Sequence, residues 1–235
     1  MKSFIKTKLK HIGSIFGDRM QSHNNRLYNI LQNRAVNRSA DFVEKHIDST
    51  LFFKTKNQIR NYAFDLILDE GLVLEFGVFN GRSINYFAKL FDGKDDKRNI
   101  FGFDSFEGLN EDWYGVKDRK NVAWSMSGKI PDGLNKRVKL EIGLIEDTLK
   151  PFLIKKNEKI AFIHIDTDTY GPAKVILDSC KEYLQDKCVI LFDEYLGYPN
   201  WENHEHRALV EAFDEVKFSY RGFSDNQAVI TIDEN

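Results

Sequence analysis

The sequence predicts an α/β protein: a doubly wound, mostly parallel sheet of seven strands whose last strand is antiparallel, preceded by a helical extension. Three observations predict it. From Leu72 onward, short apolar runs rich in β-branched and aromatic residues alternate with segments able to form helices. The last two runs are separated only by Phe223, Ser224, Asp225 and Asn226, too few residues for a crossover, so they must pair as an antiparallel hairpin. Before Leu72 the apolar residues instead recur at helical spacing.

In chain order, Leu27, Ile30 and Leu31, then Val43 and Ile47, then Ile59, Ala63, Leu66 and Ile67 mark helical faces. They place residues 1–70 in the helical extension and leave 71–235 as the sheet-bearing domain. Strands are predicted at 72–77, 99–104, 137–142, 160–166, 188–193, 216–222 and 227–232. Helices between them include 83–91, 171–185 and about 202–215. The long polar segment 106–136, with Trp113, Tyr114 and Trp124, reads as an irregular loop or lid.

Composition bounds the rest. The 235 residues are 42% hydrophobic and 30% charged, which describes a globular chain and excludes disordered, collagenous and disulfide-stapled classes. No run approaches the roughly 18 apolar residues of a membrane span, and the first 17 residues are too broken by lysines for a signal peptide. The expected location is cytoplasmic. Cys180 and Cys188 lack Cys-x-x-Cys spacing and read as buried thiols of a reducing compartment. The net charge of −2 conceals a division: residues 1–38 carry a balance of +7 and the remainder −9. Such a basic arm is either a solvated extension or a contact for something anionic, a membrane surface or an anionic carrier rather than a nucleic acid.

The first strand runs into Glu75-Phe76-Gly77-Val78-Phe79-Asn80-Gly81-Arg82-Ser83, where two glycines four apart join a buried strand to a helix. Glycine permits a tight turn or close ligand approach, and the helix start offers free N–H groups. A nucleotide-like ligand is implied. The central glycine of G-x-G-x-x-G, which admits a pyrophosphate, is missing, and Glu75 would repel phosphate while attracting an ammonium group. That favours a cationic, phosphate-free cofactor such as S-adenosylmethionine. The second strand ends at Asp104, where doubly wound folds place the acid that binds ribose hydroxyls.

Two further strand ends read His164-Ile165-Asp166-Thr167-Asp168 and Phe192-Asp193-Glu194. They would bring Asp166, Asp168, Asp193 and Glu194 to one edge of the sheet. Like charges so close must be protonated or offset by a cation, and hard oxygen ligands suit Mg²⁺, Mn²⁺ or Ca²⁺. The following loop, with Tyr198, Trp201, His204 and His206, could line a substrate pocket. His204 is the candidate, His206 reads as surface, and His164 as a hydrogen-bonded core histidine.

With these residues assembled, the chain resembles class I S-adenosylmethionine-dependent methyltransferases, specifically the macrocin O-methyltransferase type and related sugar-modifying enzymes. The resemblance covers about 72–232 and is carried by E-F-G-V-F-N-G-R-S, G-F-D-S-F-E-G-L, G-L-I-E-D-T-L, H-I-D-T-D-T-Y and F-D-E-Y. It implies a Rossmann-like sheet with an antiparallel seventh strand and a methyltransferase domain spanning 71–235. It implies that Glu75, Gly77 and Gly81 hold the methionine part of the cofactor, and Phe79, Ser83 and Asp166 are further candidates for the cofactor site. Asp104 would take the ribose, and Ser105 and Ile145 the adenine. Asp166, Asp193 and Glu194 would bind Mg²⁺ and Asp168 would act as base; His204 stays a catalytic candidate on the residues of its loop alone. The chain departs from the family at Glu194, where an aspartate is usual, and at Gly171-Pro172. The implied activity is methyl transfer to a hydroxyl of a sugar, glycan or glycosylated metabolite, by a homodimer. The alternatives are a catechol or phenol acceptor, or a non-catalytic binding protein on the same fold.

Overall fold

The structure, a computed structural model, describes residues 26–234. Of the basic arm, Lys2, Lys6, Lys8, Lys10 and Arg19 lie outside the described residues. Helix α1 (Arg26–Glu44) buries Ala35, Ser39 and Val43, whereas Leu27, Ile30 and Leu31, expected to form its apolar stripe, are exposed. Its anchor is polar as well as apolar. Gln32 donates to Gly197 O at 2.7 Å, Ser39 Oγ accepts from Gly197 N at 2.9 Å, and Arg38 pairs with Glu202. Phe42 packs its ring on Trp201, His206 and Tyr220.

The sheet has eight strands rather than seven. The additional one, β1 (Leu51–Phe52), pairs parallel with the strand at 218–223 and is too short to carry an alternating pattern. Helix α2 (Lys56–Asp65) follows, with Thr55 accepting from Gln58 N as its cap and Ile59 and Ala63 buried as their spacing requires. The remaining elements are β2 (Leu72–Phe76), α3 (Arg82–Gly93), β3 (Ile100–Asp104), β4 (Val138–Ile142), α4 (Ile145–Lys156), β5 (Ile160–Ile165), α5 (Tyr170–Cys180), β6 (Leu184–Phe192), α6 (Glu205–Ala212), β7 (Phe218–Phe223) and β8 (Ala228–Ile232).

Sheet order is β1-β7-β8-β6-β5-β2-β3-β4, and β8 alone runs antiparallel, wedged between β6 and β7. Strands β2 and β5 are buried along their whole length, as expected for parallel strands covered on both faces. One face packs Leu74, Phe76, Phe103, Ile163 and Phe192, the other Val73, Ile84, Phe87, Phe162 and Leu191. The chain leaves β2 toward β3 on one side and reaches β5 on the other, so the strand order reverses at β2. A crevice opens there, at the carboxyl ends of the strands.

Three sequence expectations shift. The helix expected at 171–185 ends at Cys180, because a 3-10 turn (Lys181–Tyr183) brings the chain into β6 at Leu184. The helix expected at 202–215 contracts to Glu205–Ala212. Helix α4 was not among the expected helices, since Pro151 interrupts its pattern. Residues 106–136 hold neither helix nor strand, yet bury Phe106, Leu109 and Trp113. Both cysteines are buried and unbonded. No helix among the described residues is long and apolar enough to cross a membrane.

Candidate active site

A cavity of about 330 Å³ opens at the carboxyl ends of β2, β3, β5 and β6. Its geometry begins at Gly77, with φ +86°, where an added Cβ would stand 1.9 Å from the carbonyl oxygen of Asp166. Gly77 N donates to Phe103 O at 3.0 Å and Asp166 N to Phe76 O at 2.8 Å, so the end of β2 is locked between β3 and β5. The glycine is thus required by protein backbone, not only by a ligand. Phe79 (φ 46°) and Asp168 (φ 65°) hold left-handed backbone without being glycine, and both line the cavity. Strain of this kind gathers where geometry serves function.

Glu75 does not reach the cavity. It is 1% exposed and lies on the face covered by α3, where Ser83 Oγ donates to Oε1 at 2.8 Å and His164 Nδ1 stands 3.0 Å from Oε2. Strand register sets this pairing, because Glu75 and His164 are direct neighbours on β2 and β5. His164 is the hydrogen-bonded core histidine its sequence context suggested. Gly81 also lies off the cavity; it turns the chain into α3 at φ +79°, packed near Leu134. Ser83, Ser105 and Ile145 do line the cavity, as does Asp104. Asp104 Oδ2 accepts from the N–H groups of Val78 and Phe79, both at 2.7 Å, and Oδ1 from Phe106 N at 2.7 Å. It therefore shapes the β2–α3 turn with both lone pairs of Oδ2, while Oδ1 keeps one free for a hydroxyl donor.

The four carboxylates meet as the strand ends required: Asp166, Asp168, Asp193 and Glu194 line the same cavity. Two cations from α2 join them. Lys56 Nζ lies 2.6 Å from Asp193 Oδ2 and 3.1 Å from Glu194 Oε1, and Arg60 Nη2 lies 2.8 Å from Asp193 Oδ1. Gln227 also donates to Asp193, and Asn226 to Glu194 at 3.0 Å. Burial works to raise the pKa of Asp193, but His164, Lys56 and Arg60 outweigh it and hold that carboxyl well below the usual range. Asp166 has no such partner. Burial first, then the charge of Asp193, pushes it up to about 8. Asp168 is raised by burial and by Asp166. The site thus contains one carboxylate held in its charged form by its partners beside two whose neutral form burial favours.

Glu205, unmarked by any motif, is fully buried at the start of α6 and ties the two carboxylate loops together. It accepts from Asp168 N at 3.2 Å and from Glu194 N at 3.4 Å. His204 is not brought to the cavity. Its Nε2 stands 2.7 Å from Tyr114 O and 3.1 Å from Asn200 Nδ2, so it fastens the 106–136 loop, and burial lowers its pKa. His206, expected at the surface, is half-buried, with Nδ1 2.8 Å from Tyr195 OH.

Whether these residues suit a divalent cation can be judged from the donors. His164, Asp166 and Asp193 each offer one ligand atom, all within 4.8 Å of one another, and His164 Nε2 is buried, facing Asp193 Oδ1 at 3.5 Å without a formed hydrogen bond. Two carboxylates and an imidazole fit such an ion. Glu194, expected as a third carboxylate ligand, is not in this group, because its oxygens are turned to Lys56 and Asn226.

The family described as methyltransferase domain matches residues 74–195, from β2 to just past β6. No curated protein matches the sequence. Solved structures of the same fold include CalS11, calicheamicin methyltransferase, at 22% identity and TM-score 0.61, covering 75% of this chain and 80% of that one. An apo structure of CalS11, described as a TDP-rhamnose 3'-O-methyltransferase of calicheamicin biosynthesis, matches at 23% identity and TM-score 0.55, covering 75% and 81%. The O-methyltransferase NovP matches at 16% identity and TM-score 0.58, covering 74% and 79%. The family match extends over more than half of the chain and spans the strands that build the crevice, and on that basis the chain belongs to the methyltransferase domain family, with the class I methyltransferase fold.

Proposed function

We propose that the protein is an S-adenosylmethionine-dependent O-methyltransferase that methylates a hydroxyl of a sugar, free or within a glycan or glycosylated metabolite, with the help of a divalent cation, Mg²⁺ being the expected one. The observation that carries this reading is the meeting of Asp166, Asp168 and Asp193 at one wall of the switch-point cavity, opposite the wall of Asp104, Ser105 and Ile145. One wall suits a nucleoside and the other an acceptor hydroxyl.

S-adenosylmethionine supplies an electrophilic methyl group, and a divalent cation lowers the pKa of an aliphatic hydroxyl, roughly 16 when unassisted. The chain's own residues do the rest. Asp104 and Ser105 bind the ribose side and Ile145 covers the base. Trp124, whose ring meets that of Phe79 edge-on at 5.6 Å, adds an aromatic face to the cavity lining. Asp166, Asp193 and His164 would hold the cation, with Glu75 orienting the His164 ring through Nδ1. Asp168, at the cavity wall beside Asp166 and Asp193, accepts the hydroxyl proton at its carboxylate, and burial raises its proton affinity in that role. CalS11 is described as acting on TDP-rhamnose, which supports the sugar as acceptor class.

The test is an acceptor panel with methyl-labelled S-adenosylmethionine, comparing nucleotide-linked sugars, free sugars and glycans with catechols. Labelling of sugar hydroxyls that ceases on exhaustive chelation is expected. Labelling confined to catechols would refute the sugar assignment, and full activity under chelation would refute the metal.

A further inference from the structure

Helix α2 places two cations on the carboxylate that the proposed metal requires. Lys56 and Arg60 stand one turn apart, and both reach Asp193. They are held very differently. The Arg60 side chain is 13% exposed and Asp193 6%, so that pair is withdrawn from water. The Lys56 side chain is 45% exposed, and its compact ammonium sits on a flexible stem that can swing back to solvent once another cation takes its place on Asp193. Lys56 also spans two neighbours, lying on both Asp193 and Glu194. Among the described residues, neither Asp166 nor Asp168 makes a salt bridge, whereas Asp193 pairs with Lys56, Arg60 and His164.

We propose that Lys56 is an exchangeable internal counter-ion: its ammonium neutralises Asp193 and Glu194 when no divalent cation is bound, and must leave Asp193 when one binds. This rests on the metal reading above. An ammonium on Asp193 and a cation shared between Asp166 and Asp193 would face each other at a few ångströms, where like charges repel strongly. Glu194 then acquires a role that its exclusion from the ligand cluster leaves open. Its longer side chain holds Lys56 at 3.1 Å, which provides a resting place when Asp193 turns to the metal. Lys56 therefore sets how tightly the site binds a divalent ion, weakening it relative to the carboxylates alone.

The experiment is calorimetric titration of the full chain with Mn²⁺, at fixed pH and without cofactor or acceptor. Lys56→Met and Lys56→Gln remove the charge, Lys56→Arg retains it, and Asp193→Asn removes the shared ligand. Both charge-free variants are expected to bind Mn²⁺ about tenfold tighter or more than the wild type. Lys56→Arg should bind like the wild type, and Asp193→Asn should lose binding. Charge-free variants that bind no tighter than the wild type would overturn the counter-ion role while leaving the metal reading intact. Equal tightening by Lys56→Arg would also overturn it, since charge would not be the cause. Failure of every protein, wild type included, to bind Mn²⁺ would refute the metal reading and the inference with it.

Discussion

Replacing Gly77 with alanine tests how the crevice is built. The new Cβ would lie 1.9 Å from the carbonyl oxygen of Asp166, about 1.5 Å short of ordinary contact. The obstacle is backbone on a strand end, so no side chain can rotate aside. Left-handed φ costs an L-residue about 1–2 kcal/mol. Overpacking against an unyielding neighbour costs about 1–3 kcal/mol more. The expected loss is about 3 kcal/mol in urea unfolding monitored by circular dichroism, read at constant m-value. Because relief requires β2 and β5 to part where Asp166 N bonds Phe76 O, Asp166 moves out of register with Asp193. Affinity for S-adenosylmethionine should fall with stability. Gly93→Ala is the control: a Cβ there meets nothing within 4 Å, and helix propensity predicts no loss. A Gly77→Ala loss below about 1 kcal/mol, with unchanged cofactor affinity, would refute the claim that backbone crowding demands this glycine.

Asp166→Asn should abolish methyl transfer while leaving S-adenosylmethionine binding within a few-fold, measured by labelled turnover and calorimetry on the same preparation; retained turnover would remove Asp166 from the mechanism. Burial pushes His206 down to about 4, whereas the unfolded chain protonates its histidines near 6.5. Between these values the unfolded state binds more protons, so stability is full above about pH 6.5 and falls as the pH drops toward 4, by up to about 1.4 kcal/mol per pH unit. His206→Gln should flatten that part of a urea-melt pH series, and an unchanged slope would show that His206 is not the titrating group.

The strands of the sheet and the final hairpin could be located because parallel strands buried on both faces are continuous apolar runs, and because four residues between the last two runs admit only a hairpin. Strand β1 and helix α4 escaped for local reasons: two residues carry no period, and Pro151 breaks the helical pattern. Among site residues, the strand-end carboxylates were found because strand ends are places that topology brings together. Lys56 and Arg60 were not, since they approach Asp193 across 137 and 133 residues of sequence, and a Lys and an Arg one turn apart on a short helix look like any solvated face. Glu75 was placed in the cavity because it precedes a glycine turn. The signal against that was its pairing potential: Glu75 and His164 each interrupt an otherwise apolar strand, and buried polar groups seek one another. His204 shows the limit of composition, since an aromatic, histidine-bearing loop at the sheet edge proved to hold another loop in place.

The most direct measurement is calorimetric titration of the full chain with S-adenosylmethionine. One-to-one saturable binding, reproduced by S-adenosylhomocysteine and lost when Ser105 and Ile145 are replaced by tryptophan to fill the nucleoside wall, is the result expected if the cavity beyond β2, β3, β5 and β6 is a methyl-donor site. Absence of saturable binding by the folded wild-type chain, with or without divalent cation, would contradict it.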